Sequence, residues 1–413
     1  MAPSPENGDR CNDLPMADPP QNPRLQGRTD PARRLLVVSH PAVLPVNQLI
    51  YRELAGRGWK LDMVVPRKWP SEYSPSAITA AALPGLEDAL HPVPVVLGGR
   101  PQRHLYLTRC RALARRIAPH VAFLEAEPYA LAASQWRRAL EPLRIPFGVQ
   151  AYENIDRPLP APVRRLRSEV LRDAAFVAAR SQTAGELVRA WGARGEVGLA
   201  PPAVPGWREL PEPPSGRPFT VGFAGRLTPS KGLDDLLEAV RLLAAPVELL
   251  LIGNGELRER LEGAAIPGSQ VRVLDGLSHD QMAAGYAQLD VLAVPSHTTP
   301  TWKEQFGRVI IEALWCGVPV VGSDSGEIPW LLGLTGGGLI FAEGDVDGLA
   351  AALGRLRDEP ALRASLAGAG RASVERLFTV PAATDALEAL LLGALGRPGA
   401  GRARGGSGPS APS

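Results

Sequence analysis

The chain has 413 residues, 45% of them hydrophobic, and a formal net charge of +2; that is material for two or three cored domains and excludes a nucleic-acid binder recruited by charge. Three scattered cysteines, Cys11, Cys110 and Cys316, form neither a disulfide framework nor a metal-ligand set, which fits a reducing, cytoplasmic setting. No apolar run reaches bilayer length and no apolar leader opens the chain, so neither a membrane span nor a secretory signal is expected.

Residues 1–33 are rich in Pro, Asp, Asn and Arg without periodicity and read as a disordered tail. From residue 34 to 204 short apolar runs alternate with helical stretches. The runs are Leu35–Val38, Leu61–Val65, Val93–Leu97, Val121–Leu124, Pro146–Gln150, Ala175–Ala179 and Val197–Pro201. Helices are expected over about 47–57, 101–118, 130–140, 163–172 and 183–191, and 69–90 reads as a mobile loop over a cleft. This alternation predicts a parallel sheet covered on both faces, with ligands beyond the carboxyl ends of the strands.

Glu125, Glu127, Tyr152, Glu153 and Asn154 fall at such ends. Polar residues there are often only caps and loop chemistry. Glu127, Tyr152, Glu153 and Asn154 are kept as acceptor-side candidates, because an Asn suits a sugar hydroxyl and a Glu can orient or deprotonate one. The stretches 101–118 and 163–172 carry many arginines; most such faces are simply solvated, and a minority meet anionic membrane surfaces.

Prolines make 205–218 a stiff linker, and a second domain runs over 219–380. Its first strand, Phe219–Ala224, ends in Gly225-Arg226-Leu227-Thr228-Pro229-Ser230-Lys231-Gly232. Two cations and two glycines at a strand end suit a diphosphate, with Arg226 forking onto oxygens and Lys231 adding a point charge. The bland alternative is a turn with solvated cations. The Gly-Lys-Ser/Thr order of a P-loop is absent. Strands at Val247–Ile252 and Val271–Leu274 follow; Gly253-Asn254-Gly255 alone is weak evidence for a dinucleotide site.

Leu289–Val294 is a buried strand, and a polar loop with Glu304 leads to a helix after Gly307. Glu312 lies more than one turn inside that helix. The two carboxylates can therefore face one crevice, with the free amides of the helix start between them as an anion site. A lone pair of glutamates would more often be surface acids on a βαβ unit. Asp345-Val346-Asp347 reads as a helix N-cap. A helix over 381–396 and a Gly/Ser/Pro/Arg tail over 397–413 close the chain.

Two strings decide between these readings. Gly-Arg-Leu-x-x-x-Lys-Gly from Gly225, and Glu304-x-Phe306-Gly307 with Glu312 and Gly317-Val-Pro-Val-Val-Gly-Ser-Asp-Ser-Gly-Glu-Ile-Pro329, resemble the donor-site motifs of retaining glycosyltransferase family 4. The resemblance implies the GT-B fold: two Rossmann-like domains facing across a cleft, with 381–396 packing back on the first. It implies transfer of a hexosyl-type sugar from a UDP- or GDP-sugar to an acceptor hydroxyl with retention, in cell-surface polysaccharide or glycolipid synthesis. Arg226, Lys231 and Glu304 would be catalytic. Gly225, Arg226, Lys231, Leu277, Glu304, Phe306, Gly307, Arg308, Val309 and Glu312 would line the donor site, with Glu312 on ribose and backbone near Leu277 at the base. No metal or cofactor is implied. The partners would be a nucleotide sugar, a carbohydrate or lipid-linked acceptor and the inner membrane face, without nucleic acid. This chain departs from the family in lacking the glycine-rich first loop and the histidine near the reacting centre. Two alternatives therefore stay open: a silent nucleotide-sugar-binding protein and a nucleotide-sugar epimerase.

Overall fold

The computed structural model describes residues 33–70, 77–207, 216–243 and 245–396. The expected tails (Arg33 apart) and most of the 205–218 linker lie outside the described residues.

The first half is a parallel sheet of seven strands. They are β1 (Arg34–Ser39), β2 (Lys60–Pro66), β3 (Leu90–Val93), β4 (Val121–Glu125), β5 (Phe147–Ala151), β6 (Phe176–Ala179) and β7 (Glu196–Leu199). Their spatial order is β7-β6-β5-β4-β1-β2-β3, doubly wound about β1 and β4. Helices α1 (Leu49–Gly56), α2 (Cys110–Ile117), α3 (Leu131–Leu140), α4 (Ala161–Asp173) and α5 (Gln182–Ala190) connect them. Strand β4 is buried at every position, which is why its sequence is apolar on both faces.

The second half repeats the plan with six parallel strands. They are β8 (Thr220–Ala224), β9 (Glu248–Ile252), β10 (Gln270–Leu274), β11 (Val291–Val294), β12 (Val320–Ser323) and β13 (Gly338–Phe341), in the order β10-β9-β8-β11-β12-β13. Its helices are α6 (Leu233–Leu242), α7 (Arg258–Glu262), α8 (His279–Tyr286), α9 (Arg308–Trp315), α10 (Ile328–Thr335), α11 (Val346–Asp358) and α12 (Pro360–Leu377). Asp345 caps α11, its side chain accepting from the Gly348 amide at 2.9 Å.

Two local expectations need correction. The helix predicted over 101–118 is only Cys110–Ile117, because Leu105–Tyr106 pairs with Val95–Val96 and the Gln135 amide bonds both backbone groups of Tyr106. A partner from another helix has overridden local propensity. The loop expected over 69–90 contains an antiparallel pair, Lys68–Trp69 with Ile78–Thr79, although 71–76 lie outside the described residues. The helical stretch Pro360–Gly396 is long and apolar enough to cross a bilayer by length and composition alone. Its apolar side chains Val374, Phe378, Leu387, Leu390 and Leu391 are instead buried within the fold.

The last helix, α13 (Val380–Gly396), lies on the first half. Leu387, Leu390 and Leu391 join a cluster with Leu35, Val37, Phe123 and Phe176. Arg57 binds Asp385 at 2.6 Å and Glu388 at 2.9 Å, and the Trp59 indole donates to Glu388 at 2.7 Å. Leu391 is fully buried. Leu391→Ala should therefore cost on the order of 2–5 kcal/mol in chemical denaturation, the range for a large-to-small change in a packed core.

Candidate functional site

Both carboxyl edges of β8 and β11 feed one cluster. After β8 the chain passes through Gly225 and the exposed Arg226 to a single 3-10 turn over Pro229–Lys231. Gly232 then adopts φ +65°, and a Cβ there would lie 1.8 Å from the Pro295 carbonyl oxygen. Only glycine lets the β8 turn press against the end of β11, and that contact brings Lys231 to Glu304.

Glu304 is buried, 9% exposed. Its Oε2 accepts from Lys231 Nζ at 2.6 Å and from Ser296 Oγ at 3.1 Å. The Lys231 ammonium also sits over the Trp302 ring, 4.4 Å from its centroid. Both charges are thus largely taken from water and paired through one carboxylate oxygen. Ser323 donates to the Ser296 carbonyl at 2.6 Å and fixes the loop from below. His297 meets Asp235 at 2.7 Å and ties the same loop to α6.

Helix α9 starts at Gly307, which has φ +76°, and no side chain caps its first amides. A helix start without a side-chain cap presents its amides and dipole to an anion. Phe306 contributes only backbone to this edge, since its ring is buried against Trp330 and Phe378. One turn further in, Glu312 accepts from the Tyr286 hydroxyl at 2.8 Å and pairs with Arg308 at 3.3 Å. Val309 and Leu277 are partly buried against the same cluster. The donor-side residues named from the sequence therefore lie along the carboxyl end of the second sheet and the start of α9. Ser296, Trp302 and Tyr286 were not foreseen; Trp302 and Tyr286 act through partners distant in sequence, and Ser296 through Glu304, eight residues on.

The first half supplies the opposite wall. Glu125 accepts from Ser39 at 2.6 Å, Tyr51 at 2.7 Å and Arg180 at 2.9 Å, so it holds strand ends together. Glu127 Oε1 accepts from the amides of Tyr152 at 2.6 Å and Glu153 at 3.1 Å. Its Oε2 is buried without a partner. Burial pushes the Glu127 carboxyl up to about 8, assisted by the Glu153 charge and opposed by the two amides. Glu153 accepts from Tyr129 at 3.1 Å and pairs with Arg157, also at 3.1 Å. Asn154 crosses to the other half, its Nδ2 donating to the Glu304 carbonyl at 2.8 Å. Tyr152 packs on the core cluster of the second half. The four acceptor-side candidates thus gather at one seam, where Glu127 organises backbone and Asn154 touches the donor-side loop.

Residues 218–359 match the family described as Glycosyl transferases group 1. The chain is 36% identical over 161 residues to a GDP-mannose-dependent monoacylated alpha-(1-6)-phosphatidylinositol monomannoside mannosyltransferase of Corynebacterium glutamicum, covering 38% of this chain and 42% of that protein. It is 29% identical over 336 residues to the GDP-mannose-dependent alpha-(1-6)-phosphatidylinositol monomannoside mannosyltransferase of Mycolicibacterium smegmatis, covering 76% and 85%. The first of these matches thus spans less than half of that relative's length. Anabaena HepE, solved in complex with UDP, superposes with a TM-score of 0.64 at 18% identity over 87% of this chain and 99% of that one. With the two parallel-sheet halves, that likeness establishes the GT-B fold.

A pH dependence follows from Glu127. Its carboxyl is raised from 4.5 to about 8 on folding, so between those values the folded chain holds more protons than the unfolded one. This contribution to stability is complete below pH about 4.5 and is lost as pH rises through about 8. The urea midpoint should fall across that window, and Glu127→Gln should flatten the fall.

Proposed function

We propose that this chain, whose residues 218–359 belong to the group 1 glycosyltransferases, moves a hexosyl group from a nucleoside diphosphate sugar to an acceptor hydroxyl with retention at the anomeric carbon. The observation that carries the reading is the buried Lys231–Glu304–Ser296 cluster beside the start of α9. A sugar diphosphate presents hydroxyls and anionic oxygens together, and this cluster offers a carboxylate, an ammonium and free helix amides together.

In the proposed arrangement Arg226, Lys231 and the α9 amides after Gly307 hold the diphosphate, where negative charge grows as the sugar leaves. Glu304 holds sugar hydroxyls, with backbone from Phe306 and Gly307. Glu312, oriented by Tyr286 and Arg308, takes the ribose hydroxyls, and backbone near Leu277 meets the base. Glu127, Tyr152, Glu153 and Asn154 face the acceptor side. The chemistry calls on no resident metal or cofactor. The names of the two mannosyltransferase relatives support GDP-mannose as the donor and a phosphatidylinositol-type glycolipid as the acceptor. Such an acceptor would be met at the cytoplasmic membrane face.

A thermal-shift panel of GDP, UDP, ADP and their sugar conjugates tests the donor. The correct nucleotide at a hundredfold excess over its Kd should stabilise the fold by about 2.7 kcal/mol. Arg226→Ala should abolish that shift and lower kcat by about 10²–10³-fold. Absence of any shift across the panel would sink the donor reading. Glu304→Ala should keep affinity for the nucleoside diphosphate and lose transfer. Unchanged transfer would remove Glu304 from the mechanism, and sugar release as an epimer without acceptor would replace transfer altogether.

A further inference from the structure

The main-chain carbonyl of Glu304 accepts two hydrogen bonds, one from each half of the molecule. Asn154 Nδ2 reaches it from the first half at 2.8 Å, and the Glu327 amide reaches it from the second at 3.0 Å. The approach is close enough to dictate the neighbouring residue. Gly326 has φ +57°, and a Cβ there would stand 2.1 Å from that same carbonyl oxygen. Asn154 and Glu327 are 2% and 1% exposed, so neither is loop decoration.

The Glu327 side chain then leads back to the first half. It lies at the start of α5, beside the Ser181 and Thr183 hydroxyls and the Thr183 amide. Ser181 is the N-cap of that nine-residue helix; burial pushes the Glu327 carboxyl up, opposed by Thr183, Lys303 and Ser181. Asn154 is aimed from its own side by Glu127, which pins the two preceding amides. The carboxylate loop of Glu304 is therefore gripped from both halves at one atom. The grip is also imperfect. Asn154 Oδ1 and Glu327 Oε1 are buried without partners, a cost that opening the seam to water would relieve. A contact that fixes a site loop while leaving buried acceptors unsatisfied is suited to forming and breaking.

We propose that Asn154 and Glu327 are positioning residues that make the placement of Glu304 depend on closure of the two halves. Asn154 is then not an acceptor ligand in the first instance. It reports to the donor side that the acceptor half has docked. Ser181 and Thr183 receive Glu327 and complete the same latch. The proposal rests on the reading of Glu304 as the group that holds the donor sugar.

The test uses the full chain with GDP and GDP-mannose, or with UDP and UDP-glucose if the thermal panel selects uridine. Hydrogen exchange over residues 296–307 and affinities for both ligands are measured for wild type, Asn154→Ala and Glu327→Gln. The expected result is exchange faster by roughly fivefold in 296–307, as for loss of one buried hydrogen bond. Affinity for the nucleoside diphosphate stays within about twofold, the added affinity contributed by the sugar is lost, and kcat falls by roughly 10²-fold, as for a misplaced group. Unchanged exchange and unchanged sugar affinity in both variants would overturn the latch. Equal loss of affinity for both ligands would also overturn it, since that reports general damage. Glu304→Ala separates the two readings. If it leaves sugar affinity intact while Asn154→Ala still speeds exchange, the assignment of Glu304 fails and the latch stands.

Discussion

A carboxylate taken out of water must be matched, and the second half of this molecule is arranged so that Glu304 is. Lys231 supplies the charge, Ser296 a second hydrogen bond, and Trp302 a ring face for the ammonium. None of these groups is on the helix that Glu304 precedes. They converge because Gly232 lets the β8 turn touch the end of β11, and because Ser323 at the end of β12 holds the Ser296 carbonyl. Three strand ends are thereby committed to one side chain. Removing Lys231 would leave the buried Glu304 charge unmatched, which is far more costly than the pair is stabilising.

The first half meets the same problem twice and answers it differently. Glu125 is saturated by Ser39, Tyr51 and Arg180, and Arg180 is further held by Gln150 and the Ala200 carbonyl. That network uses the ends of β1, β4, β5 and β6 and leaves Glu125 no capacity for a substrate. Glu127, two residues later, is matched only on one oxygen, by amides. The contrast separates a carboxylate that braces the sheet from one whose charge is unstable where it stands.

Much of this architecture was legible in the amino-acid order because burial on both faces of a parallel strand forces apolar runs, and those runs are strong signals. The Gly225–Gly232 and Pro295–Pro329 stretches were legible because each packs its chemistry into a short continuous string. What escaped was non-local. The helix read over 101–118 fails because Gln135 captures Tyr106, and nothing within the stretch announces a partner on α3. Tyr286 on Glu312, Trp302 on Lys231 and Asn154 on the Glu304 carbonyl each join positions that only the folded chain brings together. Local pattern located the candidate residues at strand ends; it did not say which would brace, which would bind and which would bridge.

The polypeptide passes between the halves twice, once after Ala200 and again between α12 and α13. The two passages meet, with the Val204 amide donating to the Phe378 carbonyl at 2.8 Å. Two connections stitched at one place are no longer independent, since neither can shift there without straining the hydrogen bond it shares with the other.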